Sequence, residues 1–377
     1  MEILLIILGV SFVLLGPAWL LPEKWQLAPL ILATAILLGI YSPASLLILA
    51  STSLLNFYLL RHIPSLSTAT LVVVIQLSCI FLFFKMDYAA IFGLGETGIL
   101  PLGLSYYSFR QIHYALEVYK KTSLSKHSLW EYMCYLFFLP TILIGPINRF
   151  QPFLRDIKRR RWDNLLFSQG LERILYGFVK IVVLGNYLFS YKLNNFALGL
   201  EDSHLWIATY LKMFRFAANA YVQFAGYSDI AIGLSLLFGF KVMENFNSPF
   251  KATNIADFWN RWHISLSDWC RDYVFYPFLG MTRNSRISII MSMLVLAGWH
   301  EISLRYLIWG IMHAIAINLW HRYNNTPMQE AIAKIPLVQK ILGIGITLHF
   351  VMLSFILTNE VDMAASWQTY KILFFIN

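Results

Sequence analysis

The sequence predicts an all-α, polytopic membrane protein of about eleven membrane helices, with re-entrant or interfacial helices among them. Three observations carry this prediction. Hydrophobic residues make up 58% of the 377 residues, and mean hydropathy is +0.61. Charged residues make up only 13%, whereas soluble domains carry roughly 25% because a globule needs a solvated skin. The charges are also missing in blocks, with none between residues 25 and 60. A soluble enzyme, a disordered chain and a disulfide scaffold are thereby excluded. Aromatic residues at 16%, with 12 Trp, suit rings placed at two membrane interfaces.

The elements follow in order. Residues 3–22 are uncharged and read as a retained first span, since the basic start and small-residue cleavage site of a signal peptide are not evident. Glu2 before it and Lys24 after it favour an N-terminus outside. The uncharged stretch 25–60 is too long for one span of about 20 residues and reads as a hairpin broken near Ser42-Pro43. Further segments are expected near 66–84, 88–112, 129–147, 168–190, 205–225, 226–243, 287–304, 306–321, 338–358 and 364–376. The segment 129–147 has basic residues on both flanks and is interrupted by Pro140 and Gly145-Pro146. Both flanks would take the same side of the membrane, so a broken or re-entrant helix is expected, with its freed backbone groups covered by protein or a water-filled cavity. The whole chain, 1–377, reads as one integral-membrane domain without a fixed repeat.

The net charge is +9. In a membrane chain this reflects positive-inside topology and anionic headgroups, not nucleic acid. The densest cluster, Lys158-Arg159-Arg160-Arg161, reads as a cytoplasmic loop. Cys79, Cys134 and Cys270 lack paired or metal-ligand spacing and read as small hydrophobes. Gly93-Leu-Gly-Glu-Thr-Gly98 matches G-x-G-x-x-G, but it joins two apolar spans instead of a strand and a helix, so a loop is expected.

Two polar islands remain. Between Asn245 and Gly280 lie Asp257, Arg261, Asp268, Arg271 and Asp272, and charge at such a place is costly unless it meets a cavity or a partner. Read as one helix, the island sorts into an apolar stripe (Phe258, Trp262, Leu266, Trp269), a charged stripe (Asp257, Arg261, Asp268, Asp272) and a small polar stripe (Asn260, His263, Ser267, Cys270). Asp257 and Arg261 are spaced for an i,i+4 pair. A helix lying in the headgroup plane accounts for the first two stripes but not for the third. The second island is Trp299-His300-Glu301, between two uncharged runs. A neutral imidazole is a natural general base near pH 7. His313 is the weaker candidate, because on one continuous helix it would lie about 220° around the axis from His300. The zinc motif H-E-x-x-H fails at Leu304, so no metal site is expected.

At these residues the sequence resembles the membrane-bound O-acyltransferase superfamily, and within it the bacterial branch of alginate O-acetyltransferases, peptidoglycan O-acetyltransferases and the membrane protein of teichoic-acid D-alanylation. The resemblance rests on PLGLSYYSF (101–109), GPINRFQPF (145–153), YVQFAGYSDIAIGLSLLFGF (221–240), ENFNSPFKATNIADFWNRWHISLSDWCRDYVFYPFLG (244–280) and GWHEISLRYLIWGIMH (298–313), a motif core of 101–313. It implies that His300 is the catalytic histidine and His263 the second polar residue of the active site. It also implies a central tunnel, for which Asn260, Ser267, Asp268, Arg271 and Trp299 are the candidate lining residues. The branch usually reads W-H-G and a later H-G, where this chain has Trp299-His300-Glu301 and His313-Ala314. These departures leave the acceptor class open.

The expected reaction is acyl transfer at the cell (inner, cytoplasmic) membrane, from a cytosolic thioester to a hydroxyl acceptor on the far side. Acetyl transfer to a cell-envelope or exported polysaccharide is the first reading, and D-alanyl transfer to teichoic acid the second. The thioester, acetyl-CoA or an acyl or aminoacyl carrier protein, is a co-substrate, and no bound cofactor is expected. An extracytoplasmic acyltransferase partner and membrane lipid complete the expected partners. A transporter or flippase shares the broken helices and polar midplane and is the alternative from another class.

Overall fold

The computed structural model describes residues 2–86, 101–120 and 127–376. The loop expected at 93–98, the start of the segment 88–112, and Lys121 and Lys126 lie outside the described residues. Every described element is helical. Among the described residues six helices can, by length and composition, cross a membrane: Glu2–Leu20, Glu23–Tyr41, Pro43–His62, Leu66–Lys85, Asn164–Leu198 and Pro336–Asn359. Other expected segments form helices that are shorter or more polar, such as Leu104–Tyr119, Ser285–His300 and Leu304–Tyr323. The chain divides into two compact units, Met1–Tyr176 with Tyr227–Met243, and Gly177–Gly226 with Glu244–Asn377.

In the first unit the hairpin breaks where the sequence says. One helix ends at Tyr41 and the next starts at Pro43, because proline lacks an N–H to continue the ladder and disfavours helical geometry at Ser42 before it. The segment 129–147 is also broken: a helix Leu129–Leu136, a single 3₁₀ turn Leu139–Thr141, then irregular chain up to Arg149. Its freed carbonyls find buried protein donors. The Arg110 guanidinium, 1% exposed, donates to the carbonyls of Tyr135 (3.4 Å) and Thr141 and to Thr141 Oγ1 (2.6 Å). Thr34 donates to the Phe137 carbonyl at 2.8 Å, and the Tyr135 hydroxyl to the Asn148 carbonyl at 2.6 Å. Non-helical backbone is tolerated in such a place where protein groups take up the freed carbonyls, as they do here at Tyr135, Phe137, Thr141 and Asn148.

The basic run departs from a plain solvated loop. Arg160 donates to the carbonyls of Phe238 (2.7 Å) and Ala18 (2.9 Å) and to the Gln26 side chain, and its guanidinium lies 3.9 Å from the centre of the Trp19 ring. Of the cysteines, Cys134 and Cys270 are buried as expected, but Cys79 is exposed.

The two spans expected at 205–225 and 226–243 are instead one helix, Leu205–Leu237. Gly226 is no breaker. A Cβ there would come within 2.8 Å of the Gly177 carbonyl and 2.6 Å of Ile181, so this glycine lets two helices of the second unit approach closely. In the same unit Ser285–His300 and Leu304–Tyr323 form a helical hairpin. Gly310 sits where a Cβ would meet Ala297 at 2.9 Å and the Met293 carbonyl at 3.0 Å. The turn between them begins at Glu301, whose extended backbone (φ −160°) stops the first helix. Ser303 then caps the second through the Tyr306 amide.

Candidate active site

The polar island is two helices, not one. Ile255–Arg261 and Ile264–Cys270 are separated at Trp262-His263, so the three stripes read along a single helix do not run through. His263 is the cause, with a left-handed backbone at φ +44°. That conformation is uncommon without glycine, though His is among the residues found in it more often. Asn245 holds it in place. Its carbonyl accepts from the Ile264 amide at 2.9 Å, and its side-chain oxygen accepts from the Ser265 hydroxyl at 2.6 Å. Asn254 caps the first short helix by accepting from the Asp257 amide at 2.8 Å. The expected Asp257–Arg261 pair is formed, at 2.7 Å.

This corner delivers the His263 imidazole into the interior, 3% exposed. Its ring meets the edge of Phe224 (centroids 4.7 Å) and Trp299 (5.9 Å). Neither ring nitrogen has a hydrogen-bond partner among the described residues. A buried polar group in that state costs free energy unless a ligand or water completes it. Burial pushes its pKa down to about 3, and the neighbouring His300 adds to the effect. His263 is therefore neutral at physiological pH, with one nitrogen a donor and the other an acceptor.

His300 ends its helix beside this pocket and is exposed. Trp299 packs against it (centroids 4.5 Å), Tyr306 stacks on it (5.7 Å, 23° between planes) and Trp309 meets it edge-on at 5.7 Å. Beneath, Glu301 pairs with Arg305 at 3.1 Å, and Arg305 donates to the carbonyls of Leu357 (3.3 Å) and Glu360. The helix terminus that carries His300 is thus tied to the end of Pro336–Asn359.

The other expected residues divide. Trp299 stands against both histidines. Ser267 closes its own turn by donating to the Trp262 carbonyl at 3.1 Å. Asn260, Asp268 and Arg271 form a separate, more exposed cluster, with Arg271 donating to Asn260 at 3.2 Å and pairing with Asp268 at 2.9 Å. His313 is fully buried. Its Nδ1 accepts from Trp259 Nε1 at 3.3 Å, and its Nε2 lies 2.9 Å from the Ser354 hydroxyl. The helix breaks between His300 and His313, so the angle expected on one continuous helix does not apply, and Trp309 touches both rings. Phe224, Tyr306, Trp309 and the Glu301–Arg305 pair were not singled out from the sequence. The i,i+4 spacing of Glu301 and Arg305 was the one legible signal. Among the described residues no group of three or more His, Cys, Asp and Glu is placed to hold a metal ion.

The helices bring a buried and an exposed histidine together around one tryptophan. Residues 40–358 match the model of the membrane-bound O-acyltransferase family, and the chain belongs to that family. Among curated proteins it is 29% identical to the probable alginate O-acetylase AlgI of Pseudomonas aeruginosa, over 96% of this chain and 72% of that protein. It is 31% identical to the teichoic acid D-alanyltransferase of Bacillus subtilis, over 67% of each. It is 27% identical to the peptidoglycan O-acetyltransferase of Helicobacter pylori, over 72% of this chain and 56% of that protein. The chain spans about half, 54%, of the probable alginate O-acetylase AlgI of Azotobacter vinelandii, at 31% identity.

Proposed function

We propose that this chain is an O-acyltransferase of the cytoplasmic membrane that moves an acetyl group from a cytosolic thioester to a hydroxyl of an exported or cell-envelope polysaccharide. The observation that carries the reading is His263: a buried, neutral imidazole with two unpartnered nitrogens, one tryptophan ring away from His300. Such a group is completed by a polar substrate, such as a hydroxyl or a thioester carbonyl.

In the reaction the acceptor oxygen attacks the thioester carbonyl carbon. The ester C–O bond forms and the C–S bond breaks. His300 takes the hydroxyl proton and returns it to the departing sulfur, which leaves as a thiol. His263 donates its one N–H either to the carbonyl oxygen, as negative charge develops there, or to the acceptor hydroxyl oxygen, orienting it. General-base assistance contributes about 10²–10⁴-fold, and holding the two reactants in line supplies much of the rest. Donor and acceptor meet in a central tunnel from opposite faces, with Trp299 along it. The thioester is a co-substrate, either acetyl-CoA or an acyl carrier protein, and no resident cofactor is required. An extracytoplasmic partner completes delivery to the polysaccharide.

D-alanyl transfer from an aminoacyl carrier protein towards teichoic acid is the second reading, favoured by the similarity to D-alanyltransferases at 31% and 34% identity. The deciding experiment supplies the purified full-length protein with each donor in turn and follows thiol release and acyl products by mass spectrometry. Acetyl-CoA consumption supports the first reading, and carrier-bound D-alanine the second. His300→Ala is expected to lower transfer about 10²–10⁴-fold; full transfer by that variant, folded and membrane-inserted, removes the assignment.

A further inference from the structure

Residues 321–343 connect the helix Leu304–Tyr323 to Pro336–Asn359 through the short helix Pro327–Ala333. Within this stretch stand three cations, Arg322, Lys334 and Lys340, and a single carboxylate, Glu330. All three cations are exposed. In this part of the chain the helices do not close on one another, although none of the three cations lines the space between them. They leave a cavity of about 550 Å³, built from both long helices, the short helix and Thr253-Asn254-Ile255. That volume falls in the roughly 300–1,000 Å³ range of ligand sites.

The cavity has two kinds of wall. Leu319, Leu342 and Ile346 line it and are also among the exposed large hydrophobic residues, so it opens through an apolar surface. Asn324, Gln329 and Gln339 line its other part. Arg322 is two residues from Asn324, and Lys340 adjoins Gln339. Apolar space that opens at the surface, lined in part by amides and flanked in sequence by a threefold excess of cation over carboxylate, suits a lipid with an apolar chain and an anionic phosphate. Basic pockets between membrane helices bind anionic headgroups for the same reason.

We propose that this cavity is a binding site for an anionic phospholipid, with an acyl chain against Leu319, Leu342 and Ile346 and the headgroup phosphate held by Arg322, Lys334 and Lys340. The cavity lining includes neither His263 nor His300, and the proposal does not rest on the proposed reaction. The cations give the headgroup its selectivity, and the cavity gives the chain its place. Loss of either is therefore read separately.

The test is native mass spectrometry of the delipidated full-length protein in detergent, titrated with dioleoyl phosphatidylglycerol or dioleoyl phosphatidylcholine. Phosphatidylglycerol is expected to bind with about a tenfold preference. The triple variant R322Q/K334Q/K340Q, changed only at exposed positions, should lose that preference while keeping a residual, charge-independent binding. Ile346→Trp, which fills the cavity, should lose both lipids. Equal binding of the two lipids to the unaltered protein overturns the proposal. So does an undiminished preference in the triple variant, or retention of palmitoyl-coenzyme A in place of phosphatidylglycerol. If Ile346→Trp does not fold, the triple variant decides.

Discussion

His263 and His313 are both buried in the second unit, both within aromatic walls, and both within reach of the rings around His300. Their nitrogens tell them apart. His313 is held at each end, by Trp259 and by Ser354, whose own hydroxyl donates to the Val351 carbonyl at 2.8 Å. His263 is held by its backbone alone, and its ring nitrogens are left open. A buried histidine with both nitrogens satisfied is part of the packing. One set at a left-handed corner with both nitrogens open carries strain and desolvation that its own neighbours do not repay, and such outliers gather at functional sites.

This contrast can be broken by substitution. The largest effect is expected at His263. Asparagine tolerates the left-handed region and keeps one donor and one acceptor, so His263→Asn should retain a measurable fraction of acyl transfer, whereas His263→Leu should lose at least about 10²-fold. Equal activity in the two variants would mean that the open nitrogens do nothing. At His313 the effect should fall on stability instead. His313→Leu leaves the Trp259 N–H buried without its acceptor, at about 1–3 kcal/mol, read as a lower thermal midpoint in detergent. The variant that remains folded should transfer acyl groups at close to the normal rate, and a collapse in rate without loss of stability would move His313 into the reacting set.

The pH dependence sharpens the same comparison. The folded-state pKa of His263 is lowered to about 3 by burial and by His300, below the unfolded value of about 6.5. The unfolded chain then binds more protons between these values, so this contribution to stability is complete above about pH 6.5 and is lost as pH falls towards 3. Thermal midpoints measured from pH 7.5 down to pH 5 should decline, and less steeply in His263→Asn. An identical slope in that variant would assign the decline to other groups. The smallest effect is expected at the half-exposed Asp268–Arg271 pair. Arg271→Gln should change stability by only about 0–1 kcal/mol, and a larger shift in the same melting assay would show that the cluster is held more tightly than its exposure suggests.

Much of the membrane architecture could be read in advance because proline and missing charge are local signals. The break at Ser42-Pro43 and the interruption of 129–147 follow from residues that cannot continue a helix. What escaped reading depends on distant partners. Nothing within Asn260-Arg-Trp-His263-Ile-Ser265 contains a helix breaker; the corner at His263 is held by Asn245 from an earlier stretch of chain. Likewise Gly226 resembles a boundary in sequence and proves to be a packing position inside one long helix. His263 and His300 stand out in the sequence as histidines near apolar runs, but their convergence around Trp299 requires three dimensions.

Arg160 joins two histories of the chain. During insertion it is one of four adjacent positive charges, Lys158 to Arg161, that together bias which side of the bilayer their loop occupies. After folding, its guanidinium no longer belongs to that loop. It closes the carbonyl ends of two helices, at Ala18 and Phe238, where a cation also meets the negative end of the helix dipole. Lysine at this position would preserve the topological signal and forfeit the forked clasp. Orientation in the membrane and the fastening of the first unit are therefore separable instructions written at a single residue.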